Sequence, residues 1–267
     1  MRASDAIDHA ALTREVAAAV REAGALALKA FKAPIKSWFK EGDSPVSEAD
    51  IAVDALLRER LEATGLACGW LSEETEDDPA RLSAARVWIV DPIDGTRGFL
   101  AGLPDWTISV ALAEAGRPVL AALYAPATDE LFLAAAGGGA THNGSAMVAT
   151  AGTALAGARV AGPDRRLGKL APFGIIAIPK VHSLALRIAR VAQGQLDLAL
   201  AGPNSHDWDL AAADLLVHEA HGALTTLGGE TLIYNQPTPT HGALFAAGRA
   251  RHQALSELMR EGRVAFR

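Results

Sequence analysis

The sequence predicts an α/β protein, and three observations carry that prediction. Two stretches, about 6–32 and 47–63, place apolar residues at helical spacing. Two short apolar runs, 69–72 and 87–90, read as buried strands, and each runs straight into acids: Glu73 and Glu74 after the first, Asp91 after the second. Runs at 107–112, 118–124 and 130–134, joined by short turns, read as an antiparallel meander.

The chain is organised around the segment from Trp88 to Phe99, read Trp-Ile-Val-Asp-Pro-Ile-Asp-Gly-Thr-Arg-Gly-Phe. Its strand delivers Asp91 and Asp94 at the carboxyl end, where α/β proteins build their sites. Pro92 is expected to stop the ladder and Gly95 to allow an unusual turn. Gly95 and Thr96 then set backbone N–H groups and a hydroxyl beside the negative cluster. Carboxylates alone would repel a phosphate, and N–H donors alone would not need them. Together they read as a divalent metal with phosphate bound across it. A lone D-x-x-D-G is more often a turn, so the reading depends on acids elsewhere.

In the first helix, Leu12, Val16, Ala19, Val20, Ala23, Leu26 and Ala30 mark the inner stripe, and Pro34 ends it. Residues 35–40 read as a hairpin arm carrying Trp38 and Phe39. Lys40 there is either a solvated lysine or a contact for an anionic substrate. Residues 41–45 form a turn. The second helix buries Val53, Leu56, Leu57, Arg60 and Leu61, and Asp50 sits at its start, where a carboxylate suits the dipole. Glu73 follows its strand directly and is expected to point along with Asp91 and Asp94, whereas Glu76 to Asp78 form a solvated loop.

Beyond the meander, Gly137 to Gly139 and Asn143-Gly144 read as turns. Strands are expected at 159–161 and 174–178, around a loop exposing Arg165 and Arg166. A helix at 181–193 and a strand at 196–200 follow. Asp207-Trp208-Asp209 precedes a helix at 210–217, closed by Gly222, and Asp209 falls in its first turn. Late strands at 227–234 and 243–247 precede a final helix at 252–261.

Composition removes several function classes. With 267 residues, half of them hydrophobic, the chain can bury a large core. A net charge of -6 and a pI near 5.8 argue against a nucleic-acid polymer as partner. The single cysteine, Cys68, excludes an internal disulfide and a cysteine zinc cluster, suits a reducing cytoplasm, and reads as a small buried side chain. Charges from Arg2 to Glu22 break any signal-peptide core, and no run approaches the ~18–20 apolar residues of a membrane span. A cytoplasmic protein without membrane attachment is expected. The eight histidines lack HExxH or HxH spacing; His218 and His221 share a helix face without a third partner. No GxSxG, Walker or GxGxxG sequence is present.

Three segments together carry a resemblance: Gly-Trp-Leu-Ser-Glu-Glu at 69–74, Trp-Ile-Val-Asp-Pro-Ile-Asp-Gly-Thr at 88–96, and Trp-Asp-Leu-Ala-Ala at 208–212. They resemble, in order and spacing, the signatures of the inositol monophosphatase-like, Mg²⁺-dependent, Li⁺-sensitive phosphatases. Residues 43–50 resemble the family's preceding element. The resemblance implies a layered αβαβα sandwich of the inositol monophosphatase/fructose-1,6-bisphosphatase type. It also implies one phosphatase domain in two packed halves, about 1–145 and 146–267, the second supplying Asp209, and a homodimer. Two or three Mg²⁺ ions are implied. Glu73, Asp91 and the Ile93 carbonyl would hold one; Asp91, Asp94 and Asp209 a second; Glu73 a third, weaker one. Gly95 and Thr96 would bind phosphate, and Asp50 would hold Thr96 by a hydrogen bond. Glu73 and the Thr96 hydroxyl would orient the attacking water for in-line hydrolysis of a small phosphate ester.

Within the family, Arg97, Tyr124-Ala125-Pro126, Gly202-Pro203-Asn204-Ser205 and Tyr234-Asn235-Gln236 lean toward the 3'(2'),5'-bisphosphate nucleotidase branch, which acts on 3'-phosphoadenosine 5'-phosphate. Gly202 stands where inositol phosphatases carry a glutamate. Ile93 and residues 141–144 point instead to an inositol-1-monophosphatase. Lys40, Arg97 and Asp209 are the expected substrate contacts besides Gly95 and Thr96. Histidinol phosphate and fructose 1,6-bisphosphate are lesser possibilities. A non-catalytic phosphate-ligand sensor is the reading from another class.

Overall fold

The computed structural model describes residues 9–40 and 45–266. The expected helix start at Ala6 and the turn at 41–44 lie outside the described residues. Helix α1 (His9–Ala30) leads to a hairpin of β1 (Ser37–Phe39) and β2 (Pro45–Ser47), then α2 (Glu48–Glu62). Strands β3 (Gly69–Ser72), β4 (Arg86–Asp94), β5 (Thr107–Glu114), β6 (Arg117–Ala125), β7 (Glu130–Ala135), β8 (Ala140–His142) and β9 (Ser145–Ala146) form a seven-stranded sheet in that order. The short helix α3 (Thr96–Leu100) leaves β4. Next come β10 (Arg159–Ala161), α4 (Asp164–Leu170), β11 (Ile176–Ala177), α5 (Leu184–Ala192), β12 (Leu198–Ala201), β13 (Ser205–His206) and α6 (Asp207–Glu219). The chain ends with β14 (Gly222–Thr226), β15 (Thr240–His241), β16 (Leu244–Gly248) and α7 (Arg249–Arg260). The second sheet runs β11-β10-β12-β16-β14.

Alternation along the strands explains the layers. One face of β4 to β6 (Trp88, Val90, Val110, Leu112, Leu120) packs on the stripes of α1 and α2. The other face (Val87, Ile89, Ala111, Ala121, Leu123) packs on α5 and α6, which also cover Ala199, Ala201, Leu244 and Ala246 of the second sheet. The far face of that sheet (Leu198, Leu200, Phe245, Ala247) packs on α4 and α7. The order of layers is αβαβα, as expected.

Several local expectations are corrected. Strand β4 continues past Pro92 to Asp94, because the pairing with β5 breaks register between Asp91 and Asp94 and the missing N–H of Pro92 falls in that irregularity. Arg60 is not part of the buried face of α2; its guanidinium pairs with Glu22 of α1 at 2.7 Å. Arg165 and Arg166 lie on α4 rather than a loop, and Arg166 covers the Phe266 ring. Residues 227–234 make no strand beyond one bridge at Thr231; the strand is β14, which begins where Gly222 was expected to close α6. His221 lies beyond α6 at φ 63°, so it does not share a helix face with His218.

Candidate metal and phosphate site

The register break in β4 aims both of its aspartates at one point. Asp91 accepts the Ile93 N–H at 3.0 Å, which closes a tight turn through Pro92. Asp94 reaches across to the start of α5. It accepts the Ser183 hydroxyl at 2.5 Å, the Leu184 N–H at 3.1 Å and the Ala185 N–H at 2.7 Å. Asp209 occupies the first turn of α6 and accepts the His206 N–H at 2.6 Å. The free ends of the first turns of α5 and α6 thus each hold one acid, where the helix dipoles offset negative charge. Asp91, Asp94 and Asp209 present oxygens that all lie within 4.8 Å of one another. Glu73 enters from the end of β3, its own N–H bonded to the Val90 carbonyl at 3.3 Å. All four acids line one cavity of about 190 Å³ together with Gly95, Thr96 and Arg97.

Gly95 adopts φ 94°, and a Cβ there would stand 2.9 Å from the Ser183 nitrogen. Both facts demand glycine. Thr96 opens α3, a helix of five residues that is too short to hold itself. Packing fixes it instead: Phe99 meets Trp106 edge-on at 4.9 Å, and Phe31 caps the pair. The Thr96 hydroxyl shares its proton between Asp50 at 3.1 Å and the Ile93 carbonyl at 2.9 Å. Asp50 is itself held by the capping box of α2, accepting the Ser47 N–H and hydroxyl at 2.8 and 2.6 Å.

The acids repel one another in a nearly dry place. Burial, then the charge of Glu74, pushes the Glu73 carboxyl up to about 7. Burial, then the neighbouring carboxylates, raises Asp91 and Asp209 well above the ordinary range. Burial also raises Asp94, against its hydrogen bonds from Ser183, Ala185 and Leu184. Lys40 contributes countercharge from the rim: its ammonium lies 2.5 Å from the Glu74 carboxylate and 3.1 Å from the Glu73 carbonyl. That contact ties Lys40 to the acids and not to the cavity.

The Inositol monophosphatase family profile matches residues 8–262. The chain belongs to the inositol monophosphatase family. It is 37% identical over 195 residues to an inositol-1-monophosphatase of Rhizobium meliloti, covering 69% of this chain and 73% of that one. A histidinol-phosphatase of Mycobacterium tuberculosis is 34% identical over 199 residues, 70% and 75% of the two chains. The crystal structure of the extragenic suppressor protein SuhB from Bartonella henselae superposes with a TM-score of 0.84 at 27% identity, over 94% of this chain and 99% of that one. The family is one of phosphatases.

These relatives support the inositol alternative better than the nucleotidase lean, and most of the sequence features behind that lean lie away from the site. Tyr124 bonds Asp129 on the outer sheet face, and Tyr234 bonds the buried Asp214. Asn235 accepts a hydrogen bond from Arg81, whose side chain is buried. Gly202 lines a separate cleft with Arg165 and Arg166. These residues build the fold and do not face the metal cavity.

The donor set suits the cation expected of an inositol monophosphatase. Asp91, Asp94, Asp209 and Glu73 offer oxygen only, the preference of a hard divalent ion, and their mutual repulsion is relieved by protons or by such a cation. Ser183, Lys180, His182 and Asp105 were not anticipated. Lys180 and His182 line the cavity, and Asp105 holds His182 at 2.8 Å. Ser183 had a local signature, a hydroxyl residue just ahead of an apolar periodic run. The others had none, because only the tertiary fold brings them there. Among the described residues no helix is long and apolar enough to cross a membrane.

Proposed function

We propose that this protein is a Mg²⁺-dependent phosphomonoesterase acting on inositol monophosphates or a closely similar polyol phosphate. The observation that carries the reading is the convergence of Asp91, Asp94 and Asp209 beside the Gly95–Thr96 turn. In this reading Glu73, Asp91 and the Ile93 carbonyl hold one Mg²⁺, Asp91, Asp94 and Asp209 a second, and Glu73 a third, weaker one. Bound there, Mg²⁺ supplies a Lewis acid for the phosphoryl and leaving-group oxygens and makes water a better nucleophile at neutral pH. The N–H groups of Gly95 and Thr96 hold the phosphate. Asp50 fixes the Thr96 hydroxyl, which together with Glu73 orients the attacking water, and Glu73 accepts its proton. In-line attack needs no covalent phosphoenzyme.

A second substrate, histidinol phosphate, is favoured by the 34% identical relative from Mycobacterium tuberculosis. Arg97 and Lys180 at the cavity speak against it, since two cations oppose an amine on the leaving group. Phosphate release with and without Mg²⁺ and Li⁺ from inositol 1-phosphate, histidinol phosphate and 3'-phosphoadenosine 5'-phosphate tests the reading. Mg²⁺-dependent, Li⁺-inhibited turnover is expected, at least tenfold faster on inositol 1-phosphate. Preference for either other ester would keep the chemistry and replace the substrate. Phosphate binding without release from any ester would favour the sensor.

A further inference from the structure

His182 lines the cavity of the site, yet the reaction as written gives it no task. It is held unusually firmly for a loop residue. Asp105 accepts both its backbone N–H at 2.7 Å and its Nδ1–H at 2.8 Å, while the Asp105 carbonyl accepts the Ser183 N–H at 3.0 Å. The ring packs onto α3, the helix that begins at Thr96. A Cβ added to Gly98 would stand 3.0 Å from the His182 Cβ and 3.1 Å from its Cγ. With Nδ1 committed to a carboxylate, the proton on that nitrogen is assigned by the hydrogen-bond network. Nε2, at the opposite edge of the ring, makes no hydrogen bond among the described residues, and the side chain is 22% exposed. The charges around it are Asp105, the Arg187 guanidinium whose field reaches Asp105, and, lining the same cavity, Arg97 and Lys180 and the acids Glu73, Asp91, Asp94 and Asp209.

A carboxylate-oriented imidazole with its second nitrogen unspent, in a cavity that binds a phosphate ester, is the arrangement of a proton donor. We propose that His182, oriented by Asp105, is a catalytic residue that protonates the leaving oxygen of the ester. The inference rests on the phosphatase reading. As the water oxygen bonds to phosphorus, the bond from phosphorus to the leaving oxygen breaks and its electron pair stays on that oxygen. The oxygen takes the proton from Nε2 of the imidazolium and departs as the alcohol. The proton lost by the water goes to Glu73, and solvent returns a proton from Glu73 to His182, so the cycle closes without net change in the enzyme. Asp105 is a positioning residue in this scheme: it holds the ring through both the backbone N–H and Nδ1 of His182.

The test exploits the leaving group. An alkyl alcohol departs poorly as its anion, whereas 4-nitrophenolate departs unaided. His182→Gln, His182→Ala and Asp105→Asn are each compared with wild type on inositol 1-phosphate and on 4-nitrophenyl phosphate at saturating Mg²⁺, with thermal melts to establish folding. Loss of a proton donor is worth about 10²-fold or more in kcat. We expect that loss on inositol 1-phosphate for both His182 variants, and a loss at least tenfold smaller on 4-nitrophenyl phosphate. Asp105→Asn should show the same asymmetry at lower amplitude. Equal losses on the two esters, or no loss on either, overturn the proposal. An independent readout uses no turnover: the His182 Hε1 proton resonance, assigned from its absence in His182→Gln, should move when Mg²⁺, inositol and inorganic phosphate are added together. A stationary resonance overturns contact with the leaving group. If wild type releases no phosphate from these two esters, nor from histidinol phosphate or 3'-phosphoadenosine 5'-phosphate, the phosphatase reading falls with the inference. If wild type is active and the variants lose both esters alike, only the inference falls.

Discussion

Asp209 serves two demands that pull in opposite directions. Its carboxylate closes the first turn of α6 through the His206 N–H, but its charge is opposed by burial and by Asp94, Glu73 and Asp207. Asparagine keeps an acceptor for the His206 N–H and removes the charge. Asp209→Asn is therefore expected to stabilise the metal-free protein by about 1 kcal/mol, the trade-off typical of a strained site. The same change should abolish the melting shift produced by Mg²⁺ and lower Mg²⁺-dependent turnover by about 10³-fold. Thermal melts and phosphate release on the same samples check both halves. Near-normal turnover in Asp209→Asn would remove the residue from the site. Asp94→Asn should lose activity without the gain in stability, because three donors from α5 already offset much of its charge.

Helix α5 is the element through which the second sheet's layer grips the first sheet's acids. Ser183 caps it, accepting the Leu186 N–H at 2.9 Å while giving its own proton to Asp94. Ser183→Ala removes a helix cap, at a cost of about 1 kcal/mol. It also frees the carboxylate that the hydroxyl orients, so Mg²⁺ affinity or turnover should fall by about 10- to 100-fold. Calorimetric titration with Mg²⁺ beside a denaturant melt separates the two effects, and unchanged affinity would show that the hydroxyl only caps. The elements themselves were unequally legible. Helices α1 and α2 are legible by period, and β3 to β7 by apolar runs between turns. Helix α4 did not, because its seven residues from Asp164 to Leu170 hold only two buried leucines and follow Pro163. The continuation of β4 past Pro92 has no local marker, since a register break that spares the proline depends on its pairing with β5. The acids of the site were legible because each follows a strand or opens a helix. Asp105 and His182 were not, as their contact spans 77 positions and neither has a local marker.

At the scale of the whole molecule the site is a point of convergence. The carboxyl ends of β3 and β4 and the start of α2 come from one layer pair, and the starts of α5 and α6 arrive from the layer beneath. The fold holds several carboxylates together, and protonation or a cation must offset the repulsion. Glu73, at about 7 in the folded chain against 4.5 ordinarily, binds more proton in the folded state between those values. Its contribution to stability therefore declines as pH rises through that window, and the full penalty stands above pH 7. Asp91, Asp94 and Asp209 shift in the same direction. Mg²⁺ competes with those protons, so saturating Mg²⁺ should raise the melting temperature more at pH 8 than at pH 6. His252 works against this trend in the absolute curves. Its ring, stacked on Phe245 and lowered by burial to about 4, makes stability rise with pH up to about 6.5. That slope is common to samples with and without Mg²⁺, so subtracting one melt series from the other leaves the acids alone. A Mg²⁺ increment that is flat or shrinking from pH 6 to 8 would mean that these carboxylates are not the groups the cation relieves.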